Sequence, residues 1–319
     1  MLIDPFPQLS IKTEKAINDA LLNVWQAVKQ SFTLAQIENA YITGGIAGIE
    51  ALLNNLDPIL ASHLAPTLQT AMIDSGRMVI ALLPAAAITT TAWIPSLSLS
   101  ASRAAMDYEL NLIREISMTT REAVRQAVIE AVATGKPPRD IARQFRSTIG
   151  LTEGQQKWVS NYRSALENGD LTKALSYELR DRRFDASVRN GTLSQDKIDK
   201  MVERYEARTI KYRTEVIART ESLRAVEVGQ FESVRQGIQD GHINPDLEKG
   251  WVVTTDGRER AWHYELKSKW VKFNEPFINS HGPLMYPRDP NGAADNTIQC
   301  RCRLRYRLPK RTENQPEEQ

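Results

Sequence analysis

SQDKIDKMVERYEARTIKYRTEVIARTESLRAVEVGQFESVRQG, residues 194–237, places Ile198, Met201, Val202, Tyr205 and Tyr212 at helical spacing. Ser194 stands at its head as an N-cap and Gly237 at its foot, so the stretch predicts one long helix, straight or kinked. Beyond Gly237 the character changes. Gly, Pro, Asn and Asp become frequent, three of the six tryptophans fall between Trp251 and Trp270, and WVVTT (251–255) and KWVKF (269–273) have strand composition. A long helix followed by short strands predicts a compact α+β domain over 191–311 with a short antiparallel sheet, and TENQPEEQ (312–319) reads as a disordered end.

Upstream, residues 1–190 read as a mainly helical region. Leu21, Leu22, Trp25, Val28 and Phe32, then Ile46, Ile49, Leu52, Leu53 and Leu56, mark two or three helices, interrupted at Gly44, Gly45 and Gly48. Leu110, Ile113, Ile116, Val124, Ala127, Val128 and Ala131 form another stripe, ended by Gly135, Pro137 and Pro138. A short helix through Ile141, Ala142 and Phe145 follows, and Thr152 with Gln155 reads as a capping box opening a helix toward Asn168-Gly169. Between Arg77 and Arg103 no residue is charged, so residues 78–102 have the length of a membrane span, which needs roughly 20 apolar residues. Pro84, Pro95 and the threonines 89–91 argue instead for a segment buried in the protein or in a subunit interface, and SLSLSAS (96–102) alternates like a strand or extended segment.

The chain has 319 residues, 41% of them hydrophobic and 25% charged, and therefore has the means to bury a core. A net charge of +2 does not mark the whole chain as a nucleic-acid binder, yet the first hundred residues are acidic and the remainder basic. Cys300 and Cys302 are the two cysteines, which excludes a disulfide framework and fits a reducing compartment. MLIDPFPQLS offers neither a basic n-region nor an apolar h-region, so the expected site of synthesis and residence is the cytoplasm unless another assembly exports the protein.

Three constellations have chemical potential. On the long helix, Glu221 and Arg224 lie three residues apart beside Ile217, Val228 and Phe231, a half-buried pair that serves either as a structural ion pair or, through Glu221, in acid-base chemistry. After the Asp256-Gly257 turn comes His263, which could be a general base, a metal ligand or an imidazole held by a nearby backbone or carboxylate group. In CRCRLRYRL (300–308), Cys302, Leu304, Tyr306 and Leu308 face one way and Arg301, Arg303, Arg305 and Arg307 the other. Those guanidinium groups stand about 7 Å apart, twice the strand rise and near the phosphate spacing of a nucleic acid, and suit either a polyanion or the acidic groups of another subunit. Cys300, Cys302, His263 and His281 together offer up to four zinc-type ligands, although zinc pairs usually have two to four residues between the cysteines. The expectation is no cofactor, with structural zinc as the alternative. No phosphate-cradling Gly-rich loop, G-x-S-x-G elbow or H-E-x-x-H motif occurs.

Ile217-Ala218-Arg219-Thr220-Glu221, Ala225, Gly229, Trp251, Asp256, Arg258, His263, Leu266, Phe273, the PLMYP run 283–287, Asp289-Pro290 and Ile298-Gln299-Cys300-Arg301-Cys302 occur in that order. Over residues 195–308 this series resembles the phage Mu F-like minor head protein family. Where family members often carry Gly, position 268 is Ser. The resemblance implies a non-enzymatic head morphogenesis protein of a tailed bacteriophage, in few copies, in the capsid interior or at the portal vertex, and in the host cytoplasm during assembly. It implies portal protein and other head proteins as partners, an oligomeric state in the virion, and contact with double-stranded DNA in packaging or ejection. The shared motif residues would be Arg219, Thr220, Glu221, Arg224, Asp256, Arg258 and His263. Two other readings stand beside it: a nucleic-acid-processing or nucleotide-modifying enzyme using Glu221 and His263, and an ejection protein whose 78–102 segment enters a membrane.

Overall fold

A computed structural model describes residues 6–90, 99–191, 193–255, 257, 259–298 and 300–309, with the side chains of 99–106, 109 and 110 outside the description. The helices are α1 (Phe6–Ser31), α2 (Leu34–Leu52), α3 (Leu56–Leu82), α4 (Leu99–Ala133), α5 (Pro138–Thr148), α6 (Glu153–Glu167), α7 (Leu171–Ser176), α8 (Asp185–Arg189) and α9 (Gln195–Gln239). Then come β1 (Glu248–Val252), α10 (Ala261–Tyr264), β2 (Trp270–Lys272), β3 (Phe277–Asn279), β4 (Gly282–Leu284), α11 (Ala294–Thr297) and β5 (Arg303–Arg307). The α+β class is as the sequence predicts: a helical N-terminal region, a long helix and small antiparallel sheets near the C-terminus.

The compact units are not cut at one point near residue 190. One comprises Met1–Ile17, Ala65–Glu109 and Ala218–Gln319, and the other Asn18–Leu64 and Leu110–Ile217. The difference from the sequential 1–190 and 191–311 division has a simple cause. Helices α1, α3, α4 and α9 each begin in one unit and end in the other, so apolar periodicity runs through the division without a break. The first is called the sheet unit below, the second the helical unit.

In the helical unit, α2 opens with a capping box in which Thr33 and Gln36 satisfy each other's backbone donors, and it breaks at Gly45, whose φ of 57° lies outside the helical region. Helix α2 packs on α5, the aromatic rings of Phe32 and Phe145 meeting edge to face at 5.9 Å. The Thr152–Gln155 capping box forms as the sequence predicts. A second apolar cluster joins Tyr162, Leu166, Val188, Ile198, Met201, Val202 and Tyr205.

In the sheet unit, β1 is the central strand, antiparallel to β2 on one side and to β5 on the other. Strands β3 and β4 form a separate hairpin. Gly250 on β1 pairs directly with Trp270 on β2, and a Cβ there would come 2.9 Å from the indole, so the glycine makes room for the ring over the sheet. Of the uncharged 78–102 segment, Val79, Ile80, Leu83 and Ala87 are buried and Ile88 bridges to Ile243, whereas Ala81, Leu82, Ala85, Ala86, Thr89 and Thr90 are exposed, so residues 78–90 are buried on one side only. Residues 91–98 lie outside the described residues, as do 312–319. The strand reading of SLSLSAS fails where it can be compared. Residues 99–102 form the first turn of α4, because alternation over so few residues carries less free energy than extending a long helix already nucleated. No helix among the described residues is long and apolar enough to cross a membrane.

Candidate functional site

The sheet unit gathers most of the residues singled out by sequence. Its frame is the second part of α9 against α3. A Cβ on Gly229 would lie 2.5 Å from the Met72 carbonyl oxygen and 2.6 Å from its Cα, so the two backbones approach to a distance that only glycine allows. Ala225, one turn earlier, is fully buried. This gives the spaced small residues of the motif a packing role.

On the same helix Arg224 Nη1 donates to Glu221 Oε1 at 2.9 Å, both side chains being largely buried, and the Tyr108 hydroxyl donates a short hydrogen bond to Glu221 Oε2. Burial, reinforced by the Glu221 charge, pushes the Tyr108 phenol well above its usual range. Glu221 is thus held by a guanidinium and a phenol. Thr220 is buried beside it, and exposed Arg219 reaches Glu14 at 3.4 Å.

Arg288 is the residue that sequence reasoning missed. It lies in the left-handed region (φ 65°) with no solvent exposure, donating from Nη1 to the carbonyl oxygens of Cys300 (2.7 Å) and Cys302 (2.8 Å) and from Nη2 to Glu227 at 2.8 Å. Glu227 is equally buried, and that burial pushes its carboxyl up to about 8 against the pull of Arg288. Lys249 is also fully buried; its Nζ donates to the Met285 carbonyl at 2.8 Å and lies 5.0 Å from the Phe231 ring and 5.6 Å from Phe273 and Phe277. Desolvation lowers its pKa to about 7. The one legible signal was position: Arg288 sits inside the PLMYP-R-D-P run.

Arg288 holds the backbone of the Cys-x-Cys pair while His263, from α10, faces the sulfurs. His263 Nδ1 is 3.5 Å from Cys300 Sγ and 3.6 Å from Cys302 Sγ, and its Nε2 is 3.0 Å and 2.8 Å from the Asn296 carbonyl and side-chain oxygens. All three side chains are buried, with Trp251 edge-on to the imidazole at 5.5 Å. The hydrogen bond from Cys302 pulls the Cys300 thiol well below the thiol range despite burial, with help from His263 and Arg288, and the Cys302 thiol rises correspondingly. For His263 burial favours the neutral ring, but the hydrogen bond and charge of Cys300, with Asn296, outweigh it and raise the pKa. His281 does not join them. It stacks on Trp262 at 3.8 Å and pairs with Asp295 at 3.5 Å. Three of the four candidate metal ligands therefore converge.

Asp256 and Arg258 lie outside the described residues. Ser268 adopts φ 65°, in the left-handed region that favours glycine. The alternation of β5 holds: Leu304 is buried and Arg305 and Arg307 are exposed. The arginine row is partly engaged within the chain, since the guanidinium groups of Arg305 and Arg307 lie 4.6 Å and 4.1 Å from the Trp270 ring centroid and Arg307 Nε reaches Glu248 at 2.7 Å. Arg301 and Arg303 are half-buried. The helical unit carries a separate open cleft of about 1150 Å³ with Lys29, Arg143, Arg146 and Arg163 beside Asp140 and Glu203. Neither Glu221 nor His263 lines it.

None of the curated proteins and none of the solved structures compared with the chain matches it. Residues 157–305, the C-terminal part that carries the α9 motif, the His263 cluster and β5, match the family described as Phage Mu protein F like protein.

Proposed function

We propose that the protein is a minor head protein of a tailed bacteriophage, acting in head morphogenesis by contacts with the portal and other head proteins, and touching the DNA backbone in packaging or ejection. The observation that carries this reading is the family match over 157–305 together with what the motif residues do there. Thr220, Glu221, Ala225, Trp251, His263, Leu266 and Phe273 are buried and partnered or packed, so the shared residues support a stable docking module rather than a reaction. On this reading Glu221 and His263 have no catalytic role: Glu221 is closed off by Arg224 and Tyr108, and His263 by Asn296 and two thiols. Exposed Arg305 and Arg307, pre-oriented over Trp270, are the side chains offered to phosphate or to a partner's carboxylates.

The test is capture of the purified protein by portal oligomers and by double-stranded DNA at low and high salt. Binding to the portal that survives high salt is the expected result. DNA binding that vanishes with salt and no portal binding would shift the role to the nucleic acid, because phosphate contacts weaken steeply as salt rises. Absence of the protein from both procapsids and virions would overturn the reading.

A further inference from the structure

We propose that His263 Nδ1, Cys300 Sγ and Cys302 Sγ form a binding site for one zinc(II) ion. The first argument is distance. Zinc–sulfur bonds of about 2.3 Å and zinc–nitrogen bonds of about 2.0–2.1 Å at tetrahedral angles place nitrogen and sulfur roughly 3.6 Å apart. The observed separations are 3.5 Å and 3.6 Å, and all three donor atoms lie within 4.8 Å of one another. A single hydrogen bond would favour one sulfur. The imidazole nitrogen instead stands nearly equidistant from both.

The second argument is the tautomer, which follows from a chain of hydrogen bonds. The His281 backbone N–H donates to Asn279 Oδ1 at 2.8 Å, so that oxygen is an acceptor and the neighbouring Nδ2 a donor. Asn279 Nδ2 in turn donates to Asn296 Oδ1 at 3.1 Å. His263 Nε2 therefore faces two acceptors, the side-chain and carbonyl oxygens of Asn296, and must carry a proton. In the neutral ring this leaves the Nδ1 lone pair directed at the two sulfurs. A histidine whose far nitrogen donates to a carbonyl or amide oxygen while the near one faces thiols is the arrangement that orients metal-bound imidazoles.

The third argument is the support beneath the sulfurs. Arg288 holds the carbonyl groups of Cys300 and Cys302 together, which presents two side chains one residue apart on the same side. A turn with two to four intervening residues is one way to bring two thiolates together, and an extended segment clamped by a buried guanidinium is another. Two soft thiolates and an imidazole select zinc over magnesium or calcium. The ion would tie α10 to the entry of β5 in the sheet unit.

The experiment begins with the full chain purified without chelator under reducing conditions. Elemental analysis should find one zinc per chain, and X-ray absorption at the zinc edge should show two sulfur neighbours and at least one nitrogen. Replacement by cobalt(II) should give thiolate-to-cobalt charge-transfer absorption. Cys300→Ser and Cys302→Ser should each lower zinc content, and Asn296→Ala should weaken affinity roughly tenfold or more by freeing the imidazole. His281→Ala should retain the metal. A folded wild-type chain that is metal-free, takes up no cobalt and has both thiols open to alkylation would overturn the proposal, leaving an imidazolium–thiolate cluster. So would a mass two hydrogens light, the mark of a Cys300–Cys302 disulfide, or zinc that persists in both serine variants. Portal capture by the same preparations is a separate readout, so failure of the metal site and failure of the head-protein reading are distinguishable.

Discussion

The two compact units bury charge in opposite ways. In the helical unit, buried ionic groups meet exposed or neutral partners: Asp181 is buried, but the Arg183 that holds it at 2.6 Å is 73% exposed, Lys29 meets Glu206 at 3.0 Å from a partly exposed position, and buried Arg213 donates to the hydroxyl groups of Thr119 and Thr120. In the sheet unit, Arg288 and Glu227 are both at 0% exposure, and Lys249 is enclosed by three aromatic rings. The contrast teaches where each unit gets its specificity. Stacked Tyr162 and Tyr205 with Leu166 and Met201 make a cluster that other apolar residues of similar volume would fill. The Arg288 network accepts only groups that satisfy its donors, since an uncompensated buried charge costs far more than a missing methyl group.

The sharpest way to break this comparison is Arg288→Met. It strands Glu227 and two cysteine carbonyls, and the expected loss is about 3–5 kcal/mol in denaturant unfolding, with much of it restored when Glu227→Leu is added. A loss below about 1 kcal/mol would place the two units on the same footing. Next is the pH response of Lys249. Its folded pKa of about 7 lies below the ordinary lysine value, so between pH 7 and about 10 the unfolded chain binds a proton that the folded chain lacks. Stability should rise with pH through that window in the wild type, and the rise should flatten in Lys249→Met; equal slopes would refute the assignment.

Gly229→Ala comes third. Its methyl group would meet Met72 backbone atoms at about 2.5 Å, and the expected cost is about 1–3 kcal/mol, seen as a lower Tm. An unchanged Tm would mean that α3 and α9 separate at no cost. The smallest effect belongs to the helical unit. Hydrogen bonds from Arg183 hold the Asp181 carboxyl down at about 2, so its contribution is present above about pH 4 and lost as pH falls toward 2. Asp181→Asn should remove that share of the acid-side loss and lower neutral-pH stability by the same share, a small one because the Arg183 partner is exposed to solvent.

Much of the scaffold was legible because it is local. The helical spacing of 194–237 became α9, Thr152 and Gln155 became a capping box, and KWVKF contains β2, whereas WVVTT overlaps β1 only at Trp251 and Val252. The alternation of CRCRLRYRL set which side of β5 is buried. One local reading went astray: SLSLSAS looked like a strand or extended segment, yet residues 99–102 open α4. A boundary near 190 looked natural because composition shifts after α9 begins, and the compact units divide the chain differently, interleaving three segments with two.

The residues that make the site chemically distinct were legible only in part. Cys300, Cys302 and His263 stood out by type, and His281 stood out for the same reason but stacks on Trp262 instead. Arg288, Glu227, Lys249, Asn279 and Asn296 carried no signal of their own, because an isolated charged or amide residue in a sequence is most often a solvated one. By itself the sequence determined the main helical stretches and the strand character of β2 and β5, which face of β5 is apolar and which family the C-terminal part resembles, since those depend on periodicity, capping and ordered motif within short stretches. Only the tertiary structure decided that Arg288 reaches Glu227 across 61 positions and that one imidazole nitrogen faces two thiols 37 and 39 residues away. Contacts at that separation arise when whole elements pack, and no local preference along the chain specifies them.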